Sequence, residues 1–569
     1  MFSFPRKIFI VIFLSASAFA LDRNAFTFTK YDIELRVDPD EQAVAARGKI
    51  TLRNDSDKLQ TNLVLQVSST FEFRMIELDG KPLQYVAEPQ TTDIDHTGKV
   101  TEAVVTLPAA VPPQGSVELD VGYSGTIPRD STRLTRREVP EVQALASDWD
   151  RVGQEVTVVR GIGHVIWYPI AVNPANLSDN TLFPTIAEWQ ARAAQSTMKA
   201  RFCWITDEDR SYNVVSNGDF EGIGGGTGGG EGNRTGCASF SFGLQHTIPS
   251  FAIAPFEMLT RPSVSVYFLN GHDQQANDYA QAVEKVQPLV EEWFGKPSEK
   301  IQVIELPEGN DAPFDSGTTL FTPLNTLYKR QVEATVVHQL AHAAFHSPRP
   351  WISEGLATFA PFLWHERQEG RRAALDSLIA NLPALVAAEK QNPGAAKSSG
   401  DAAASLLATS DDIYIREKAM FVWSMLRDMI GETAFKAVLK NYRAVDDKEP
   451  TYLQKLVAAQ TKRDLEWFFD DWIYRDRGLP EFKIESAVPR ETLNSSNVVA
   501  VTVENIGSAG AEIPITVRGP NIEQTQRVLV PAHQKVTTRL SVPGKPTEVI
   551  LNDGSVPETD TSNDRMELK

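Results

Sequence analysis

Alternation of apolar and polar residues dominates residues 21–257. Stretches such as TFTKYDIELRV, GKITLRN, TNLVLQV, AVVTLPA and SVELDVGYSG repeat with period two, the signature of half-buried strands. Turn formers separate them at Asp38-Pro39, Asn54-Asp55, Asp79-Gly80 and Pro112-Pro113. The pattern predicts a large N-terminal β domain. The glycine-rich run EGIGGGTGGGEGNRTG (221–236) lies inside it. No Lys-Ser/Thr and no helical stretch come after that run, so it predicts a hairpin tip and not a phosphate cradle. After residue 258 the period changes. Strand-like SVSVYFLNG and KIQVIELPE flank a predicted helix, QQANDYAQAVEKVQPLVEEWFG. Apolar residues then recur at helical spacing through 328–345, 354–390, 412–442 and 451–475. This predicts a mainly α domain over 258–480, interrupted by a loop in the small, polar run 395–412. Beyond Leu479-Pro480 the period returns to two in VVAVTVENIG, EIPITVRGP, TQRVLVPA and KVTTRLSVP. A C-terminal β-sandwich over 481–569 is expected, with a loose polar tail from Asn552. The fold class is multidomain α+β.

Composition fits this layout, since 569 residues with 42% hydrophobic content suit several packed cores and not one. A formal net charge of −18 excludes a nucleic-acid footprint and opposes binding to anionic lipid. Residues 1–20 read MFSFPRKIFIVIFLSASAFA: Arg6 and Lys7, a short apolar run, then Ala18-Phe19-Ala20. That order predicts a secretory signal, hence export to a periplasm or the exterior; retention as an uncleaved anchor is the alternative. No later segment is long and apolar enough to cross a bilayer, where about 20 residues are needed. Cys203 and Cys237 are the only cysteines, and both one disulfide and two buried thiols fit their spacing.

The chemistry concentrates in VVHQLAHAAF (336–345). His338 and His342 are four apart, so on a helix they differ by roughly 40° in direction and about 6 Å in height and share one face. Two imidazoles placed so can converge on one ion, and among apolar neighbours they need a partner of some kind. Ser347-Pro348-Arg349-Pro350 ends the helix. In the subsequent WISEGLATFAPFLW, Ser353 is the predicted N-cap of a second helix with Glu354 in its first turn. Packing the two helices together would assemble His338, His342 and Glu354 around one Zn2+ ion. His346, close to Pro348, is expected at a solvated helix end, with a spare ligand as the alternative. Glu333 lies five residues before His338, about 140° round the helix and away from the ion.

VVHQLAH followed by WISEGLATF resembles the gluzincin metallopeptidases of the membrane alanyl aminopeptidase family, whose pattern is H-E-x-x-H and then W-L-x-E-G-x-A. YNVVSNGDF, PSFAIAPF, YIREKAMFVWSMLRDMIGETAF and DLEWFFDDWIYRDRGLPEF resemble further segments of that family, extending the likeness over most of 160–482. The resemblance implies a thermolysin-like zinc-peptidase domain acting on peptides. It also exposes departures. Gln339 stands where the family has its general-base glutamate, and the connection 343–353 is shorter. ELPEGNDAPFDSG (305–317) replaces the family's amine-binding G-x-M-E-N strand, with Phe314 expected at the glutamate and Asp315 at the asparagine. Tyr414 is shifted from the register of the family's transition-state tyrosine, with Arg416 as an alternative oxyanion partner. Asp315 is the candidate replacement base. Gln339 leaves two outcomes: a zinc metallopeptidase with impaired turnover, or a non-catalytic pseudopeptidase that holds zinc and binds peptide or protein. A scaffold without metal is the third.

Overall fold

The computed structural model describes residues 21–568 apart from 180, 207–211, 226–233, 246, 326–328, 392–404, 410, 412 and 493–495. The signal-like residues 1–20, the glycine-rich tip and most of the run 395–412 therefore lie outside the described residues.

Residues 21–257 build an eight-stranded sheet whose centre pairs Phe26–Asp38 with Ala43–Asn54 on one side and Thr197–Thr206 on the other. A three-stranded sheet, ordered Gln60–Ser68, Lys99–Val111, Gln84–Thr91, covers it. Val37, Ile50, Leu52, Leu65, Val105 and Leu119 fill the space between them, as period-two alternation requires. Asp219–Gly225 and Arg234–Gly243, which flank the glycine-rich tip, pair antiparallel. Cys203 and Cys237 sit directly opposite each other on neighbouring strands and are joined by a disulfide across 34 positions. Replacing both by serine is expected to cost about 2–4 kcal/mol. The denaturant midpoint should fall in the variant, and reductant should lower the parent's midpoint without moving the variant's. One helix of this domain, α1 (Leu182–Arg192), borders the candidate site.

The second region opens with a five-stranded sheet, ordered Glu257–Thr260, Val264–Phe268, β1 (Ile301–Leu306), β3 (Thr319–Pro323) and β2 (Phe314–Ser316). The short β2 is its edge and runs antiparallel to β3. Helix α2 (Asp273–Trp293) packs on the sheet, followed by α3 (Lys329–Ala344) and α4 (Pro350–Glu369). The periodic stretch 354–390 is two helices, because Gly370 adopts φ 88 and breaks it; Gly431, at φ 81, divides 412–442 in the same way. A turn of π-helix (Ile413–Lys418) precedes α5 (Ala419–Ile430).

The C-terminal strands form two sheets of three and four strands. They share one continuous hydrophobic core with the helices, running from Val264 to Val556, and Trp472 donates from Nε1 to the Gly510 carbonyl at 2.9 Å. The expectation of a loose tail is corrected. Ser555, Val556, Glu558 and Asp564 are buried, and Arg565–Glu567 adds a strand beside Glu548–Leu551. Polar composition misled because these side chains bond inward: Asn552 Nδ2 donates to the Val556 carbonyl at 2.8 Å, and Asn563 Nδ2 donates to Glu481 at 3.0 Å.

Candidate metal centre

The floor of the site is α3, wedged between α2 and α4. Val336, Val337, Leu340 and Ala341 bury its inner face, which leaves the histidine face toward α4. The next helix begins at Pro350 and not at Ser353, and Arg349 occupies the N-cap position. Proline at the first helical position needs no N–H partner and has its φ pre-set, so it wins over a serine cap three residues on. Ser353 is thus inside α4, and Glu354 lies one turn deeper than expected. What seats Glu354 is its neighbour, Gly355. A Cβ there would lie 2.6 Å from the Ala419 methyl and 2.9 Å from Trp423 Nε1, so only glycine allows this approach to α5. Trp351 stacks on Trp423 at 5.2 Å and fixes the start of the same helix.

These constraints bring His338, His342 and Glu354 together, with one ligand atom from each lying within 4.8 Å of the others. His342 Nε2 is 3.4 Å from Glu354 Oε1, and the two imidazole centroids are 5.0 Å apart. The remaining ring atoms are anchored. His338 hydrogen-bonds the Ala357 backbone, and Ser353 Oγ lies 3.5 Å from His342 Nδ1. Such outer partners fix which nitrogen faces the ion.

Electrostatics suit a cation. Burial, reinforced by His342, depresses His338 to about 3, so it presents a neutral imidazole with its lone pair free. Burial opposes ionisation of Glu354, yet His342 holds its carboxyl well below the usual carboxylate range. Burial also disfavours charge on His342, but Asp315 and Glu354 outweigh it and raise the ring to about 9. Two carboxylates thus demand positive charge at one point, and a neutral imidazole stands beside it. Two nitrogens and one carboxylate oxygen match the donor set of three-ligand zinc sites with an open position, so the residues fit the metal.

The other predicted residues divide. Gln339 is almost fully buried beside the histidines, and its Oε1 accepts a 2.5 Å hydrogen bond from the Tyr279 hydroxyl of α2. Its Nε2 is buried with no hydrogen-bond partner among the described residues. Tyr279→Phe would strand the amide oxygen as well and is expected to cost about 1–3 kcal/mol, read as a lower denaturant midpoint with zinc content unchanged. Glu333 points away, bonded to Lys285 at 2.6 Å and to Trp364 Nε1 at 3.0 Å. His346 lines the adjoining cavity and is outside the ligand cluster.

On β2, Phe314 and Asp315 face opposite ways. Phe314 faces the N-terminal domain, its ring 5.2 Å from the His164 ring and 5.3 Å from the Arg160 guanidinium. Asp315, one residue on, therefore takes the opposite face of the strand. It shares a cavity wall with His342, and burial raises its carboxyl above the ordinary range despite that histidine. In the π turn, Tyr414 is buried with its ring 5.1 Å from the Lys418 ammonium, while Arg416 Nε reaches Glu354 Oε2 at 3.5 Å. An extra residue in a π turn rotates every side chain beyond it about the helix axis.

Two residues escaped the sequence reading. Tyr279 sits 60 positions before Gln339 and looks like one more member of an apolar helix face. Arg160 is held by Asp150 at 2.6 Å within a buried network of the β domain. Neither belongs to a recognisable motif.

No protein-family model matches the sequence, and no curated protein matches it. The fold does match solved structures. An M1 zinc metallopeptidase from Deinococcus radiodurans superposes with a TM-score of 0.55 at 17% identity, over 81% of this chain and 96% of that one. A mutant of the same enzyme bound to a Tyr-Ser-Ala substrate gives 0.54 at 18% identity, over 81% and 96%. A two-domain mutant form of an M1 zinc metallopeptidase bound to L-arginine gives 0.50 at 17%, over 77% and 91%. The likeness establishes the fold alone, a multidomain arrangement with a β-rich N-terminal region and helical parts similar to those structures.

Proposed function

We propose that the chain is an exported protein that holds one zinc ion on His338, His342 and Glu354, binds peptides in the adjoining cleft, and cleaves them far more slowly than a peptidase does. The observation that carries this reading is Gln339. Its oxygen is taken by the Tyr279 hydroxyl, and an amide cannot accept and pass on a proton. A bound zinc ion supplies Lewis acidity toward a carbonyl and acidifies water. The chain's own side chains supply the grip: His338 as a neutral imidazole, His342 once an ion displaces the proton that Asp315 and Glu354 favour, Glu354 as the carboxylate, and Arg416 beside that carboxylate at 3.5 Å. A neighbour of the same fold holds a tripeptide substrate, which supports a peptide as the ligand class.

The test is zinc-loaded protein incubated with a broad peptide library, reading equilibrium binding and cleavage separately. Binding with negligible cleavage is expected. Turnover near ~10 s⁻¹, typical of working enzymes, overturns the reading. Asp315 motivates a second reading, residual hydrolysis with its carboxylate taking the proton of the attacking water, because it shares the cavity wall with His342. Asp315→Asn should then abolish whatever cleavage the parent shows. Export rests on the pattern of residues 1–20, and the N-terminal residue of the mature protein checks it, with Leu21 expected.

A further inference from the structure

We propose that the cavity beside the metal ligands takes a short peptide as its free acid, with Lys448 receiving the C-terminal carboxylate. This rests on the peptide-binding reading above. The cavity, of about 450 Å³, lies between α1 with the turn after it and the wall formed by His342, Ser347, Ala444, Val445, Asp447 and Lys448. Ala187, Ala191 and Ala194 stand at i, i+4 and i+7, so they fall on one face of α1 and its continuation and offer only methyl groups. Ile248, Pro348 and Val445 also line the space. Such a floor accepts apolar side chains and selects none by charge.

The titratable groups on the wall are Asp315 and His342 at one place, His346 beyond them, and Asp447 with Lys448 at another; Lys448 is the lysine among them. The Asp447 carboxylate is already committed: Oδ1 accepts from Arg349 Nε at 2.8 Å and Oδ2 from the Tyr442 hydroxyl at 2.5 Å. Lys448, the next residue, is exposed on the same rim, and among the described residues its ammonium has no carboxylate within ion-pair distance. A cation left free beside a neutral floor is matched by an anion that arrives with the ligand.

Volume sets the length. Ser347, on the same wall, reaches Asp447 through Tyr442. At about 450 Å³ the space is near the lower end of small-ligand cavities, about 300–1,000 Å³, and suits a peptide of a few residues. A second cavity of about 770 Å³ shares Gln245, His346, Ala444 and Val445 with the first, and a longer peptide would continue into it past those residues.

The experiment compares Ala-Leu-Ala as the free acid and as the C-terminal amide, binding to the zinc-loaded full-length parent and to Lys448→Met, by calorimetry. The parent is expected to bind the acid at least ten-fold more tightly than the amide. The preference should collapse in Lys448→Met, whose zinc content and melting temperature stay at parent values. Equal affinity of the parent for acid and amide overturns the inference, with the peptide then running on toward the neighbouring cavity. So does a preference that survives in Lys448→Met. If neither form binds the parent, the peptide-binding reading itself falls, a result distinct from both.

Discussion

Gln339→Glu is expected to raise peptide hydrolysis by at least ~10²-fold over the parent, the lower bound of what a positioned general base contributes. The substitution is nearly isosteric, so the packing of α3 against α2 should survive. The Tyr279 hydroxyl that now donates to the amide oxygen can donate to a carboxylate oxygen equally well. What changes is the second atom of the group. In the parent it is Nε2, buried and without a partner among the described residues; in the variant it is an oxygen that can take a proton, on the residue that follows His338. Single-turnover cleavage of a peptide that the parent binds, monitored by mass spectrometry at equal zinc occupancy, reads the difference. A variant no faster than the parent would show that some other part of the site has also been lost.

The second large effect concerns the metal. His342→Ala is expected to reduce zinc affinity by more than the 10–100-fold that loss of an outer-shell partner costs, because it removes a ligand outright. It also strips Glu354 of its closest cationic partner, leaving Arg416 at 3.5 Å. Since an ion that binds only the folded chain stabilises it by mass action, the parent's melting temperature should rise with added zinc while the variant's does not. Competition against a chelator of known affinity gives the size of the change. Glu333→Ala, on the far side of the same helix, should leave zinc affinity unchanged.

The features legible in the sequence are those fixed by local constraints. The histidine pair is a matter of helical spacing, and the sharp break at Pro348 and Pro350 forces the chain back so that Glu354 returns to it; both were readable. The cap was less so, because proline and serine compete for the start of α4; proline takes it, and Trp351 stacked on Trp423, far along the chain, lies just inside that start. The direction of Asp315 was not, because a strand of three residues carries too little alternation to fix its own faces. That choice is made by the β domain, whose Arg160 and His164 take Phe314. The tail after Asn552 looked solvated for a similar reason: Asn563 donates to Glu481 and Asn552 to the tail's own backbone, partners that composition does not reveal. The disulfide was open until strand register placed Cys203 opposite Cys237.

The most direct test is anomalous scattering at the zinc absorption edge from crystals of the purified full-length protein. A single peak is expected about 2.0–2.1 Å from one ring nitrogen of His338 and one of His342, with a Glu354 oxygen completing the protein ligands. An ion found elsewhere, or zinc-soaked crystals with no peak between these three side chains, would contradict the account.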